Sequence, residues 1–169
     1  MNQIALDLQP AEPSYRLVPL TRGYQAVVDE EFFYLASFRW HVKVSVRNGA
    51  TRAYAVRKDR NDKQIWLHNE VFGPVPKGCF VDHKEPSQTL DNRRSNLRLA
   101  TRSQNHANSR KRLNTSSAFK GVSKARRRWR ADICVEGIKQ YLGLFDSENE
   151  ASQAYKNAAV LAFGEFARF

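Results

Sequence analysis

The chain has 169 residues and a formal net charge of +11, with 41% hydrophobic and 11% aromatic residues against 27% charged, which fits one domain or two small ones and excludes a wholly disordered polycation. Its longest apolar run, Ala158 to Phe163, is far short of the roughly 18 residues of a membrane span, and its first basic residue is Arg16, so neither a transmembrane helix nor a signal peptide is expected. The two cysteines, Cys79 and Cys134, stand apart, which excludes a disulfide framework and a zinc site of the usual cysteine spacing.

Residues 1–14, with Pro10 and Pro13, read as a mobile N-terminal arm. Gln25 to Val28 suits a short strand, and Glu30 to Phe38 is ambiguous between helix and strand. Trp40 to Val46 alternates, with Trp40, Val42, Val44 and Val46 on one face. Asn48-Gly49 then turns the chain and Arg52 to Arg57 returns as a second strand, which predicts a hairpin with nothing catalytic in it. Ile65, Leu67, His68, Val71 and Phe72 recur at a mostly helical spacing over Gln64 to Phe72, and Gly73-Pro74 stops that helix.

A strand at Cys79 to His83, a polar loop from Lys84 to Ser95 and a strand at Leu97 to Ala100 follow. Thr101-Arg102-Ser103-Gln104 is a capping box that opens a helix toward Arg112. Residues 113–118 are small and polar and mark the domain boundary. Beyond it Trp129 to Val135 alternates, Glu136-Gly137 turns, and Ile138 to Phe145 pairs back. A second capping box, Ser147 to Glu150, opens a helix with apolar positions Ala151, Ala154, Tyr155, Ala158 and Ala162, ended by Gly164.

The charge is concentrated. Arg93 to Arg130 contains thirteen cations and no acid, ten of the thirteen being arginine. A planar guanidinium suits phosphate and guanine, so the block points to nucleic acid rather than to a membrane patch. The bland alternative is a solvated linker.

The ordered set Val81-Asp82-His83, Asn92, Asn96 and Asn105, laid over strand, loop, strand and helix, resembles the HNH nuclease motif of phage and intron homing endonucleases. The likeness runs back over Ile65 to Phe72 and forward through Asn96 to Asn105, about fifty residues. It implies a ββα-metal finger in which His83 is the general base and Asp82 and Asn105 hold one hard cation, Mg²⁺ or Mn²⁺ and not zinc. It also implies that Asn96 ties the long loop together by hydrogen bonds to the backbone, in support of catalysis. Asn92 and Asn108 are weaker candidates, and His106 is expected as a surface or phosphate-contacting residue. Strand alternation sets Asp82 and His83 on opposite sides, and in the family the finger bends there so that both reach one phosphate. One departure is the loop after His83, which reads Lys84-Glu85-Pro86-Ser87 where the family usually turns through Gly.

Residues 119–169 resemble an AP2 DNA-binding domain through Lys120-Gly121-Val122, Trp129 to Ile133, Tyr141 to Phe145, Glu150 to Tyr155, Ala158-Ala159 and Gly164 to Ala167. The resemblance implies a three-stranded sheet whose outer face enters the major groove. Its reading residues are Lys120, Arg126, Arg128, Arg130, Asp132, Lys139 and Tyr141, joined on the nuclease side by Arg93, Arg94, Arg98 and Arg102.

The expectation is therefore an α+β protein with an HNH-type half (15–112, motif core 64–112), a linker (113–118) and an AP2-like half (119–169). It is expected to cut double-stranded DNA with a divalent cation, as a monomer that pairs on DNA if both strands are cut, without an obligatory protein partner or a membrane. The expected place of action is the cytoplasm of a bacterial or phage-infected cell, on the nucleoid. The alternative is a DNA-binding regulator with a dead nuclease half.

Overall fold

The computed structural model describes residues 14–47, 50–111 and 114–169. The N-terminal arm up to residue 13, the Asn48-Gly49 turn, Arg112 and Leu113 lie outside the described residues.

Four antiparallel sheets and three α-helices are described. β1 (Tyr15–Pro19), which the sequence reading leaves unassigned, pairs with β2 (Gln25–Asp29). The ambiguous stretch that follows is a 3-10 helix, Glu30–Ser37. β3 (His41–Arg47), β4 (Ala50–Lys58) and β5 (Gln64–Trp66) form a three-stranded sheet.

The predicted alternation holds at the base of the β3–β4 hairpin, where Trp40, Val42 and Ala55 are buried, but Val44 and Val46 toward its tip are exposed. The helix expected over Gln64 to Phe72 is split. Gln64 to Trp66 extend the hairpin as a third strand, and α1 (Leu67–Phe72) begins only afterwards, with Leu67 and Val71 buried one turn apart. Gly73 closes α1 in a positive-φ conformation, donating its N–H to the Asn69 carbonyl.

β6 (Cys79–His83) and β7 (Leu97–Thr101) pair, and α2 (Arg102–Asn108) follows with both capping-box bonds between Thr101 and Gln104 made. This helix is shorter than the sequence suggests. It stops at Asn108, and the Lys120 ammonium from the other half of the chain donates to the Ala107 and Ser109 carbonyls at its end.

β8 (Val122–Ala125), β9 (Arg128–Val135) and β10 (Ile138–Phe145) form the last sheet, with α3 (Glu148–Phe163) packed against it. Ala131 and Ile133 point inward as expected. The inward stripe of α3 is Ala151, Ser152, Tyr155, Ala159 and Phe163, and Ala162 is exposed. A side chain at Gly121 would meet the Tyr155 ring at 2.0 Å, so helix and sheet touch there only because this residue is glycine.

Two clusters bind the parts together. The first joins the N-terminal sheets to the finger through Val18, Val28, Leu35, Trp40, Leu67, Val71 and Leu97. The second joins Ala100 and Ala107 of the finger to Ile133, Tyr155, Ala159, Phe163 and Phe166 of the C-terminal unit. The expected boundary at 113–118 therefore separates segments of chain, not bodies without a shared core.

Candidate active site

Asp82 and His83 end β6, and strand pleating sends their side chains to opposite sides. His83 faces the first core. It is 5% exposed, its ring lies 5.2 Å from His68 and 6.1 Å from Tyr54, and Trp66 completes the group by edge contact with Tyr54 at 5.5 Å. Nε2 of His83 lies 3.2 Å from Oδ1 of Asn92. Asn92 is fixed in turn, because its Nδ2 donates to the Leu90 carbonyl at 2.9 Å and its backbone N–H donates to the Val27 carbonyl of β2 at 2.8 Å. With the amide nitrogen committed to Leu90, Oδ1 accepts from Nε2–H, and the lone pair of the neutral ring is on Nδ1.

Burial pulls the His83 imidazole below its ordinary range, although Asn92 and Asp91 oppose this. Burial, with His83 beside it, pushes His68 down to about 3. Both rings are therefore neutral at pH 7.

Asp82 faces the second core. Its carboxylate accepts from Nδ2 of Asn108 at 2.8 Å, and Arg98, its cross-strand partner in β7, stands at 3.4 Å. Arg98 also donates to the Glu165 carbonyl at 3.0 Å and lies 3.7 Å above the Phe166 ring. The same Asn108 nitrogen donates to the His83 carbonyl at 2.9 Å, so one amide ties together the two sides of the strand end. Burial raises the Asp82 carboxyl above its usual range, against Asn108, Arg98 and Arg52.

Asn105, the expected partner of Asp82, lies on the exposed side of α2, and the place beside the carboxylate belongs to Asn108 three residues on. Asn96 touches neither Asp82 nor His83. Its Oδ1 accepts from the Glu85 N–H, and its Nδ2 donates to the Gln88 and Asp91 carbonyls, which staples the loop. Where the family turns through Gly, Glu85 accepts from both the N–H and the hydroxyl of Ser87, and these bonds hold its carboxyl down at about 2. The N-terminal sheets brace the same loop, since Thr89 donates to the Ala53 carbonyl and the Arg94 N–H donates to Asp29.

The expected DNA-contacting cations divide. Arg130 pairs with Asp132 at 2.8 Å and Lys139 with the same carboxylate at 3.4 Å, while Arg130 lies 5.0 Å from the Tyr141 ring; these four share the outer face of the last sheet. Arg128 pairs with Asp146, and Arg126 and Arg102 are exposed. The other four are occupied within the fold. Arg93 is clamped by both oxygens of Asp91, Arg94 approaches Glu31 and stacks on Phe32, Arg98 is buried on Asp82, and Lys120 caps α2. Burial draws the Lys120 ammonium down to about 8.

Sequence reasoning missed Tyr54 and His68 and undervalued Asn92 and Asn108. The available signals were weak: a His in a short apolar-patterned stretch three residues after Ile65, and an Asn one turn beyond another Asn.

No group of three or more His, Cys, Asp or Glu able to hold a metal occurs among the described residues. The Asn108 amide presents its nitrogen to Asp82 and to the His83 carbonyl, so a cation here would rest on the Asp82 carboxylate, with water and substrate oxygens completing its shell. That donor set suits a hard ion that keeps several waters and takes substrate phosphate as a further ligand. No described helix is long and apolar enough to cross a membrane.

Residues 63–107 match the family profile described as HNH endonuclease, which spans β5 through the last but one residue of α2. An uncharacterised HNH endonuclease of Acanthamoeba polyphaga mimivirus is 32% identical over 139 residues, covering 79% of this chain and 67% of that protein. Protein 3.8 of Escherichia phage T7 is 32% identical over 112 residues, covering 65% of this chain and 89% of that protein. No solved structure matches the chain. With its Asp-His strand end, braced loop and following helix, and with relatives that share most of its length, this chain belongs to the HNH endonuclease family and is a nuclease acting on DNA.

Proposed function

We propose that the chain is a metal-dependent, homing-type endonuclease that hydrolyses phosphodiester bonds of double-stranded DNA at the Asp82–His83 strand end, directed by its C-terminal sheet. The observation that carries this reading is the bond between His83 Nε2 and Asn92 Oδ1, which leaves Nδ1 as the basic nitrogen of a neutral imidazole. Nδ1 takes the proton of the attacking water, and Asn92 stabilises the imidazolium that results, as an orienting acceptor does in other His-based hydrolases. Asp82 would hold Mg²⁺ or Mn²⁺, its carboxylate oriented by the Asn108 amide nitrogen, while Asn105, the other expected ligand, lies on the exposed side of α2. Such an ion, when bound, supplies positive charge to the phosphoryl oxygens. Arg98 holds Asp82 from the inner side, so the carboxylate is oriented before substrate arrives.

The C-terminal unit supports an AP2-like role, with Arg130, Asp132, Lys139 and Tyr141 on one exposed sheet face and α3 behind it. One His base and one cation cut one strand, so nicking by a monomer is the basic event.

The test is incubation of supercoiled plasmid with purified protein in Mg²⁺ and, separately, in EDTA. Nicked circles in Mg²⁺ and none in EDTA are expected. Intact plasmid in Mg²⁺ and in Mn²⁺, under conditions where the protein is bound to DNA, overturns the reading.

A further inference from the structure

The β3–β4 hairpin, in which the sequence shows nothing catalytic, presents an outer face that leads to the active site. Antiparallel register sets His41 opposite Val56, Lys43 opposite Tyr54 and Ser45 opposite Arg52, all on one side, and Trp66 of β5 joins them beside Val56. The opposite side carries Val42 and Ala55 into the core. Tyr54 of the outer face is the ring 6.1 Å from His83. Arg52, two residues further up the strand, or about 7 Å, is close enough to act on the Asp82 carboxylate. Lys43 donates to the Gln64 amide oxygen at 3.0 Å, with its ammonium 5.1 Å from the Trp66 ring.

The charge on this face is one-sided. β3 and β4 contain no Asp or Glu, and among the described residues no carboxylate lies within ion-pair distance of Lys43 or Arg52. By contrast Arg93, Arg94, Arg98, Arg128 and Arg130 of the central block each have a carboxylate partner. Cations without an ion-pair partner, beside aromatic rings and on a sheet face whose Tyr54 ring lies 6.1 Å from His83, match the chemistry of a nucleic-acid backbone.

We infer that the outer face of this hairpin is a second DNA-contact surface, in which Lys43 and Arg52 bind phosphates flanking the scissile bond and Tyr54 and Trp66 wall the strand as it enters the site. The inference rests on reading Asp82 and His83 as the cutting centre. The hairpin thereby sets which phosphate lies under His83, and the C-terminal sheet grips the duplex further away.

The experiment measures affinity for a short duplex against salt for the wild type, for Lys43→Gln with Arg52→Gln, and for Arg16→Gln with Arg22→Gln, which removes the same charge from the β1–β2 end. Each phosphate contact contributes about 0.9 to the slope of log K against log[salt]. The hairpin pair should therefore flatten the slope by about 2 and weaken binding roughly ten- to hundredfold near 0.1 M salt, whereas the Arg16 and Arg22 pair leaves the slope unchanged. Lys43→Arg with Arg52→Lys should restore it. In unmutated protein, Lys43 should be protected from reductive methylation by bound duplex, a readout that does not depend on any variant folding.

A wild-type slope in the hairpin pair, or full reactivity of Lys43 in the complex, overturns the inference. If plasmid cleavage persists alongside that result, the nuclease reading stands. A hairpin-dependent slope in a protein that never cuts in Mg²⁺ or Mn²⁺ leaves the surface in place and overturns the catalytic reading.

Discussion

Asp82 and His83 are neighbours in the chain and occupy opposite surroundings. His83 lies against Tyr54, His68 and Asn92 in a neutral, aromatic setting braced by the N-terminal sheets, whereas Asp82 lies against Asn108 and Arg98, the latter shared with Glu165, in a charged setting built jointly with the C-terminal unit. Burial acts on both, lowering the imidazole and raising the carboxyl, and in each case it disfavours the charged form. Neutrality is what a base needs at rest, so on the His83 side burial serves the chemistry. On the Asp82 side it leaves a carboxylate short of positive charge, which is where a cation would act. One strand end thus holds a base and a cation site apart by the pleat, and Asn108 couples them.

The sharpest way to break this division is at the coupling residue. Asn108→Ala removes the amide that touches both the Asp82 carboxylate and the His83 carbonyl, and plasmid cleavage should fall about ten- to a hundredfold with a higher Mg²⁺ requirement. Asn105→Ala, on the exposed side of the same helix, should stay within about twofold. Equal losses would show that the two asparagines act together and that the placement of Asn108 has no special role.

Arg98→Met tests the charged side alone. It leaves Asp82 buried without its cation and frees the Glu165 carbonyl, and breaking such a pair costs about 3 kcal/mol. Urea denaturation should show a lower midpoint with an unchanged slope.

A third test concerns the neutral side. His68 titrates near 3 in the folded chain and near 6.5 when unfolded, so between those values the unfolded state binds more protons. The associated stability is fully present above pH 6.5 and is lost as pH falls toward 3, with His83 acting in the same direction. Melting curves from pH 7 to pH 4 should show this loss, and His68→Phe should make it less steep.

Much of this was legible in the sequence, for reasons that are local. The finger's order of strand, loop, strand and helix follows from alternation and a capping box, and the boxes at Thr101 and Ser147 both form as written. The Ala-rich helix and its sheet likewise follow from periodicity. What escaped depends on contacts between distant segments. Gln64 to Trp66 have helical spacing and become a strand because β4 offers them an open edge. Asn105 and Asn108 are one turn apart, and only the packing of α2 on β6 selects between them.

The charge count shows the limit most plainly. A run of thirteen cations reads as a continuous phosphate track, yet Arg93, Arg98 and Lys120 are spent on Asp91 two residues back, on Asp82 across the finger and on the end of α2, because acids and carbonyls outside the run's own pattern fold against them. Two isolated cations on the hairpin, Lys43 and Arg52, carry less weight in composition and are left without carboxylate partners among the described residues.

The central claim is that His83 works as a base from the neutral side of the strand, and the most direct measurement is chemical rescue. Under single-turnover conditions in Mg²⁺, His83→Ala should cut plasmid DNA about 10²- to 10⁴-fold more slowly than the wild type, bind DNA with unchanged affinity, and regain part of its rate when imidazole is added. A His83→Ala protein that cuts at the wild-type rate, with no response to imidazole, would contradict the account.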